Sequence, residues 1–131
     1  MATLIESLTA LAVFAIGASA SATWLAQSTA HTSQASARVR ALAIASDMEA
    51  RLRAHRAGVH AGHYRHAIPA KIDCRKACSP AQLAQHDLAA FHGALASAWG
   101  PGANGDVACD QGACLIRITW PGGALHWGVA P

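Results

Sequence analysis

A long run of uncharged residues near its start is the feature that most constrains how this chain can fold. Residues 7–37, 31 positions in all, include no Asp, Glu, Lys or Arg, and bulky apolar side chains stand among many alanines. A helix that crosses the hydrocarbon core of a bilayer needs about 20 mostly apolar residues in a row. Residues 8–26 meet that need, and Trp24 lies near one end, where an interfacial aromatic is expected. The run therefore predicts a membrane-inserted helix.

Two other interpretations of this run are weaker. A cleavable signal peptide has a basic segment before a shorter apolar stretch, and no Lys or Arg precedes this one. A buried core helix so free of charge would have little to pack inside, because the chain has 131 residues and 33 of them are alanine. The charged fraction of 13% also excludes a disordered chain or a nucleic-acid-binding tail, since both are rich in charge.

The charged residues are distributed unevenly. Residues 38–76 contain nine of the ten Lys and Arg residues and three acidic ones, a net charge of +6, whereas residues 77–131 have a net charge of −2. Glu6 is the only charged residue before position 38. An ionised carboxylate at the edge of hydrocarbon costs about 2–3 kcal/mol, so such acids are usually paired or functional. Alternatively, Glu6 lies at the headgroup level, where the helix dipole favours an acid at the N-terminus.

Four segments, in the right order, resemble a known family. They are Thr3-Leu4-Ile5-Glu6 with the apolar run, Ala41-Leu42-Ala43 with Asp47-Met48-Glu49-Ala50-Arg51-Leu52-Arg53, Cys74-Arg75-Lys76-Ala77-Cys78-Ser79-Pro80-Ala81-Gln82-Leu83-Ala84 with Asp87, and Ile118-Thr119-Trp120. The first segment resembles the N-terminus of type IV pilins, and the others resemble the PilV-type minor pilins of that family. Together the four are spread over the chain from residue 3 to residue 120.

The resemblance implies a structural role in type IV pilus assembly or priming, serving adhesion or twitching motility. It implies a single-pass protein of the bacterial inner membrane with its head in the periplasm, which later moves to the pilus and the cell surface. Its partners would be other pilins and the pilus assembly machinery. In this family the glutamate that matches Glu6 neutralises the N-terminal ammonium of a neighbouring subunit, which is cheaper in hydrocarbon than two separate charges.

Other roles remain open at this point. One is a DNA-binding competence minor pilin, a second is a type II secretion pseudopilin, and a third is a single-pass periplasmic protein that never assembles. Type IV pilins begin with a short basic leader that ends in Gly before a residue that is usually Phe, and Met1-Ala2 does not match this start. Either the true start, with such a leader, lies upstream, or the gene is a degenerate copy, and we favour the upstream start.

The expected fold class is α+β and pilin-like: a long N-terminal helix packed on a small antiparallel sheet, with a second short helix. A stripe of Ala41, Ala45, Met48 and Leu52 at helical spacing predicts the face that packs on the sheet. The predicted segments are a transmembrane half at 1–37 and a head at 38–131. Within the head we expect an amphipathic helix at 38–57, a basic His-rich loop at 58–78, a helix at 79–99 and a sheet at 105–131.

The basic segment offers candidate contacts for DNA phosphates or anionic surfaces. These residues are Arg51, Arg53, Arg56, Arg65, Lys71, Arg75 and Lys76. Tyr64 is the only aromatic residue among them, which is a poor stacking platform, so a solvated charged surface is the favoured interpretation. His55, His60, His63 and His66 have a spacing that could suit a transition metal. No carboxylate or CxxC completes such a site, and we expect neither a metal site nor a cofactor.

The four cysteines Cys74, Cys78, Cys109 and Cys114 are an even number, which in an exported chain predicts disulfides. Residues 109–114 bracket a turn between two apolar runs, so we favour 109–114 with 74–78. Crossed pairing remains an alternative, and a four-cysteine zinc site is another, although the spacing is unusual for one. No catalytic constellation is present in the sequence. We therefore predict a protein that is not an enzyme and has no small-molecule substrate.

Overall fold

The computed structural model describes residues 3–65, 67–75 and 77–131. The chain divides into two compact units, Met1–Ser36 and Ala37–Pro131. One helix, α1, runs from Leu4 to Ala54 and so contributes to both units.

The first unit consists of the beginning of α1. All of its described residues, from position 3 to position 36, are exposed. The helix is long and apolar enough to span a membrane, and nothing in the described chain buries the most apolar window. Ser and Thr hydroxyls along it, such as those of Ser21 and Thr32, donate to backbone carbonyls one turn earlier. These bonds satisfy the hydroxyl groups within the helix, as a low-polarity environment requires.

The second unit begins with the remainder of α1, whose inner face is the predicted stripe. Ala41, Ala45, Met48 and Leu52 are all fully buried, which confirms the face expected from their spacing. Two ion pairs between residues four apart lie along this part of the helix, Arg51 with Asp47 and Arg53 with Glu49.

The structure differs from the sequence prediction at the end of this helix. We expected one helix to position 57 and a loop from 58, but α1 ends at Ala54 and a short helix, α2, follows at Arg56–His60. His55 between them has φ −113° and ψ 34°, outside helical values. The break turns the chain so that Val59 becomes 3% exposed and joins the core. Burial of the Val59 side chain stabilises α2, and the neighbouring residues in the sequence do not indicate this burial.

Helix α3, Pro80–Trp99, follows the predicted segment closely. Ser79 caps its N-terminus in a complete capping box with Gln82, and Pro80 occupies the first helical position. The apolar face consists of Ala84, Leu88, Phe91 and Leu95, all of them buried. A 3₁₀ turn, Gly100–Gly102, then leads to the sheet.

The sheet has three antiparallel strands in chain order: β1 Asn104–Asp110, β2 Ala113–Trp120 and β3 Gly123–Val129. Alternate residues of β2 are buried, so one face of the sheet packs on the helices. Strand β1 begins one residue before the predicted start of the sheet at 105, and Asn104 pairs with Thr119 near the end of β2. Gly105 faces α3 so closely that a Cβ there would lie 2.5 Å from Phe91 Cε1.

These elements form one apolar core in the second unit, with side chains from α1, α2, α3 and all three strands. The predicted fold class is thereby confirmed. The chain is an α+β protein with a pilin-like layout, in which the long N-terminal helix packs against a small three-stranded antiparallel sheet accompanied by a shorter helix.

Candidate functional site

The exposed part of α1 is the largest apolar surface in the described chain. Its bulky side chains, each between 58% and 80% exposed, are Leu4, Ile5, Leu8, Leu11, Val13, Phe14, Ile16, Trp24 and Leu25. They are spread around the helix rather than confined to one face, because the run is apolar throughout. An exposed apolar surface of this kind marks a site that lipid or another protein covers. The bulky residues end at Leu25, and small, mostly polar uncharged residues occupy positions 26–36.

Glu6 lies at the first turn of this apolar helix. Its Oε2 accepts a hydrogen bond from the Thr3 backbone N–H at 3.1 Å, and the Thr3 hydroxyl is 3.5 Å from the same oxygen. The carboxylate therefore covers one of the amide groups that a helix leaves unpaired at its start, at the end where the helix dipole favours an acid. In this structure Glu6 caps the start of the helix locally, and its second oxygen, Oε1, takes no part in these two contacts.

The candidate DNA contacts are mostly neutralised by acidic neighbours. Arg51 pairs with Asp47 and Asp87, Arg53 with Glu49, Arg65 with Asp110, and Arg75 with Asp73. In the parts of the chain that the structure describes, Arg56 and Lys71 form no such pair, and Lys76 lies outside those residues. The segment of highest positive charge therefore presents less unpaired charge than its sequence suggests.

The histidine segment is also occupied by contacts within the head. His55 contacts Tyr64, and the ring of His60 lies against Gly112 in the β1–β2 turn, where an added Cβ would be 2.5 Å from the ring. Over residues 3–65, 67–75 and 77–131, no three His, Cys, Asp or Glu side chains are grouped so that they could hold a metal ion. His66, the last residue of the spacing, lies outside the described residues.

A buried polar cluster centred on Asp87 joins three elements of the head. Asp87 on α3 is 5% exposed, and its Oδ1 accepts from Arg51 Nη1 of α1 at 3.1 Å. Its Oδ2 accepts from the hydroxyl of Tyr64, which follows α2, at 2.7 Å. His55 Nδ1 lies 3.3 Å from the same hydroxyl. Because that hydroxyl donates to Asp87, the Nδ1–H form of His55 is the donor in this contact.

The cluster changes the acid–base behaviour of two of its members. Burial raises the pKa of Tyr64 well above its ordinary value, and the hydrogen bond to the Asp87 carboxylate raises it further. The pKa of Arg51 is also raised, chiefly by its hydrogen bond to Asp47, with Asp87 adding to the effect against the opposing influence of burial. Both side chains therefore keep their protons over the physiological range, so Asp87 retains a cation and a hydroxyl donor as partners.

Sequence reasoning did not identify this cluster, although two signals for it were present. Asp87 lies three residues after Ala84 and four before Phe91, so it is an acid on the apolar face of α3. Tyr64 is the only tyrosine of the chain. A buried carboxylate must have a partner, but its partners here lie 36 and 23 residues away in the chain.

Two further features tie the head together. Trp127 Nε1 on β3 donates to Glu49 Oε2 on α1 at 2.7 Å, a contact between residues 78 apart. Both disulfides have the pairing that the sequence favoured, Cys74 with Cys78 and Cys109 with Cys114. The second one joins β1 to β2 at a directly opposed pair of residues and is buried in the core.

Comparison of the chain with protein-family models, curated proteins and solved structures finds no match.

Proposed function

We propose that this chain is a structural subunit of a type IV pilus, similar to PilV-type minor pilins, and that it is held in the inner membrane before assembly. The observation that carries the proposal is the exposed apolar surface of α1 over residues 4–25, in a helix whose later part belongs to the core of an α+β head. A helix of this kind needs an apolar cover that the described part of the chain does not provide. Lipid supplies that cover before assembly, and the helices of neighbouring subunits supply it in the filament.

Glu6 gives the proposal its chemistry. The carboxylate lies at the first turn of the apolar surface and is capped only locally, by the backbone and hydroxyl of Thr3. Moving it among apolar helices costs free energy unless a cation accompanies it. The N-terminal ammonium of an adjacent subunit is a cation of the right charge, and pairing with it would fix the axial position of one helix against the next.

The decisive test follows the chain from the membrane to the filament. The full-length chain is expressed from its native locus, and the inner-membrane fraction is compared with filaments sheared from the cell surface. We expect the wild-type chain in both fractions and the Glu6→Ala variant in the membrane fraction alone. Ser7→Ala is the matched control, since it changes an exposed neighbour without altering charge, and it should behave as wild type.

Each contrary result has a distinct meaning. If the wild-type chain never reaches the sheared filaments, the filament proposal is wrong and a single-pass membrane protein that does not assemble is favoured. If Glu6→Ala reaches the filaments as efficiently as wild type, the subunit role stands and the role of Glu6 is rejected.

A role in DNA uptake is tested by an independent measurement. Because four of the candidate arginines are engaged with carboxylates, we expect the full chain in detergent micelles to give no salt-sensitive shift of duplex DNA at micromolar protein. A shift that weakens as salt rises would favour the competence minor pilin instead. A position beside type II secretion genes would favour a pseudopilin.

A further inference from the structure

Asn104 and Gly105 form the only Asn-Gly pair of the chain, and Asn104 is its only asparagine. The pair opens strand β1, immediately after the 3₁₀ turn. Asn104 is exposed on the outer face of the sheet, on the same side as Asp106 two residues later. The amide group of this side chain is therefore accessible to water, which is the first requirement for chemistry at this position.

The backbone nitrogen of Gly105 lies next to the side chain of Asn104. Its N–H donates to Asn104 Oδ1 with a nitrogen–oxygen distance of 2.8 Å. The nitrogen and the Cγ that carries this oxygen are the two atoms that would close a five-membered ring. Holding a nucleophile beside the atom that it attacks lowers the activation free energy, because the entropy of bringing the two together is already lost.

Packing in the head favours glycine at position 105, and this glycine makes the position reactive. A Cβ at position 105 would lie 2.5 Å from Phe91 Cε1 and closer still to Leu95 Cδ1, both on α3. Any larger residue would require the side chains of Phe91 and Leu95 to move. Glycine also has no side chain that shields its backbone nitrogen. The absence of a Cβ at position 105 therefore permits close packing on α3 and also makes the Asn-Gly pair reactive.

We propose that Asn104 deamidates spontaneously in the folded head. The Gly105 nitrogen loses its proton and attacks Asn104 Cγ, so that a nitrogen–carbon bond forms, the Cγ–Nδ2 bond breaks and ammonia leaves. Water then opens the resulting succinimide at either ring carbonyl. The products are aspartate or isoaspartate at position 104, and no oxidant or other reactant is needed.

The modification alters the outer face of the sheet. It adds a carboxylate near Asp106, which is already paired with Arg117 of β2. Isoaspartate also inserts a methylene into the backbone where Asn104 is opposite Thr119 and Gly105 opposite Ile118. The expected result is a more acidic sheet face with a disturbed first ladder position. This proposal does not depend on the filament role.

The test is peptide mass spectrometry of the full chain in detergent micelles after incubation in mildly alkaline and mildly acidic buffer. We expect position 104 to exchange its side-chain NH₂ for OH, faster in the alkaline buffer because the attacking nitrogen must lose a proton. Gln111-Gly112 is an internal control, since its longer side chain would have to close a less favourable six-membered ring. Asn104→Gln is the matched variant and should show no conversion over the same period.

The same chain unfolded in denaturant provides the reference rate. Conversion in the folded chain within about tenfold of the unfolded rate supports the proposal. Slower conversion, or none, in the folded chain would overturn the proposal. The strand would then protect the Asn-Gly pair from reaction instead of placing it in a reactive geometry.

Discussion

Helix α1 contains two regions with the same backbone structure and opposite surroundings. From position 3 to position 36 every described residue is exposed, whereas Ala41, Ala45, Met48 and Leu52 are fully buried. The first region is apolar throughout and has one carboxylate at its start; the second has an apolar stripe with charged residues on its other faces. The difference shows that helical structure alone does not define a domain, because the head has a core while the described residues of the first region are exposed throughout.

Substitution of Asp87 tests the largest difference in stability that we expect between a buried and an exposed group. Asp87→Ala removes the shared partner of Arg51 and Tyr64 and leaves both without their buried acceptor. We expect a loss of about 3–5 kcal/mol in the free energy of unfolding of the head, because two hydrogen bonds to a buried carboxylate are lost and each is worth about 1.5–3 kcal/mol. Chemical unfolding of the full chain in detergent micelles, followed by near-ultraviolet circular dichroism, measures it.

Asp106→Ala is the matched control for Asp87, because its ion pair with Arg117 is exposed. It should cost no more than about 1 kcal/mol. Equal losses in the two variants would mean that the Asp87 cluster contributes no more than a surface ion pair, and that the head is not organised around it.

Substitution of one leucine in each region tests the comparison of the two regions directly. Leu52→Ala removes a fully buried side chain of the head core and should lower its free energy of unfolding by about 2–5 kcal/mol. Leu25→Ala makes the same chemical change at a residue that is 62% exposed and should leave unfolding of the head unchanged. A comparable loss in Leu25→Ala would show that the first region shares in the stability of the head.

Sequence patterns predicted those features that depend on neighbouring residues. The buried stripe of α1 and the disulfide between Cys109 and Cys114 each follow from spacings of a few residues, and the structure has both. Features that depend on distant residues were missed. The short helix α2 forms because Val59 reaches the core, and the Asp87 cluster forms because Arg51 and Tyr64 reach Asp87 from distant parts of the chain.

The same limit applies to charge. The sequence showed a strongly basic segment, but it could not show that Arg51 reaches a carboxylate on α3 or that Arg65 meets the β1–β2 turn. Those contacts depend on how the chain returns on itself in the folded head. A charge count therefore overestimated the positive surface, and the prediction of the DNA-contact residues was correspondingly broad.

The smallest expected effect concerns Tyr64 and pH. The pKa of Tyr64 is raised by burial and by its hydrogen bond to Asp87, while in the unfolded chain a tyrosine titrates near its ordinary value of about 10. Above that pH the unfolded state binds fewer protons than the folded state, so stability falls as pH rises. Below it the contribution of Tyr64 is fully present.

Tyr64→Phe isolates this contribution. It should lower the free energy of unfolding by about 1.5 kcal/mol at neutral pH, the usual worth of a hydrogen bond to a charged group, and make the alkaline decline shallower than in wild type. Because Tyr64 is the only tyrosine, phenolate absorbance of the full chain reports its ionisation directly. Ionisation near the ordinary tyrosine pKa while the head stays folded would contradict the buried cluster. Ionisation delayed until the head unfolds would establish that the folded head raises the pKa of Tyr64. The exposed region of α1 has no equivalent property.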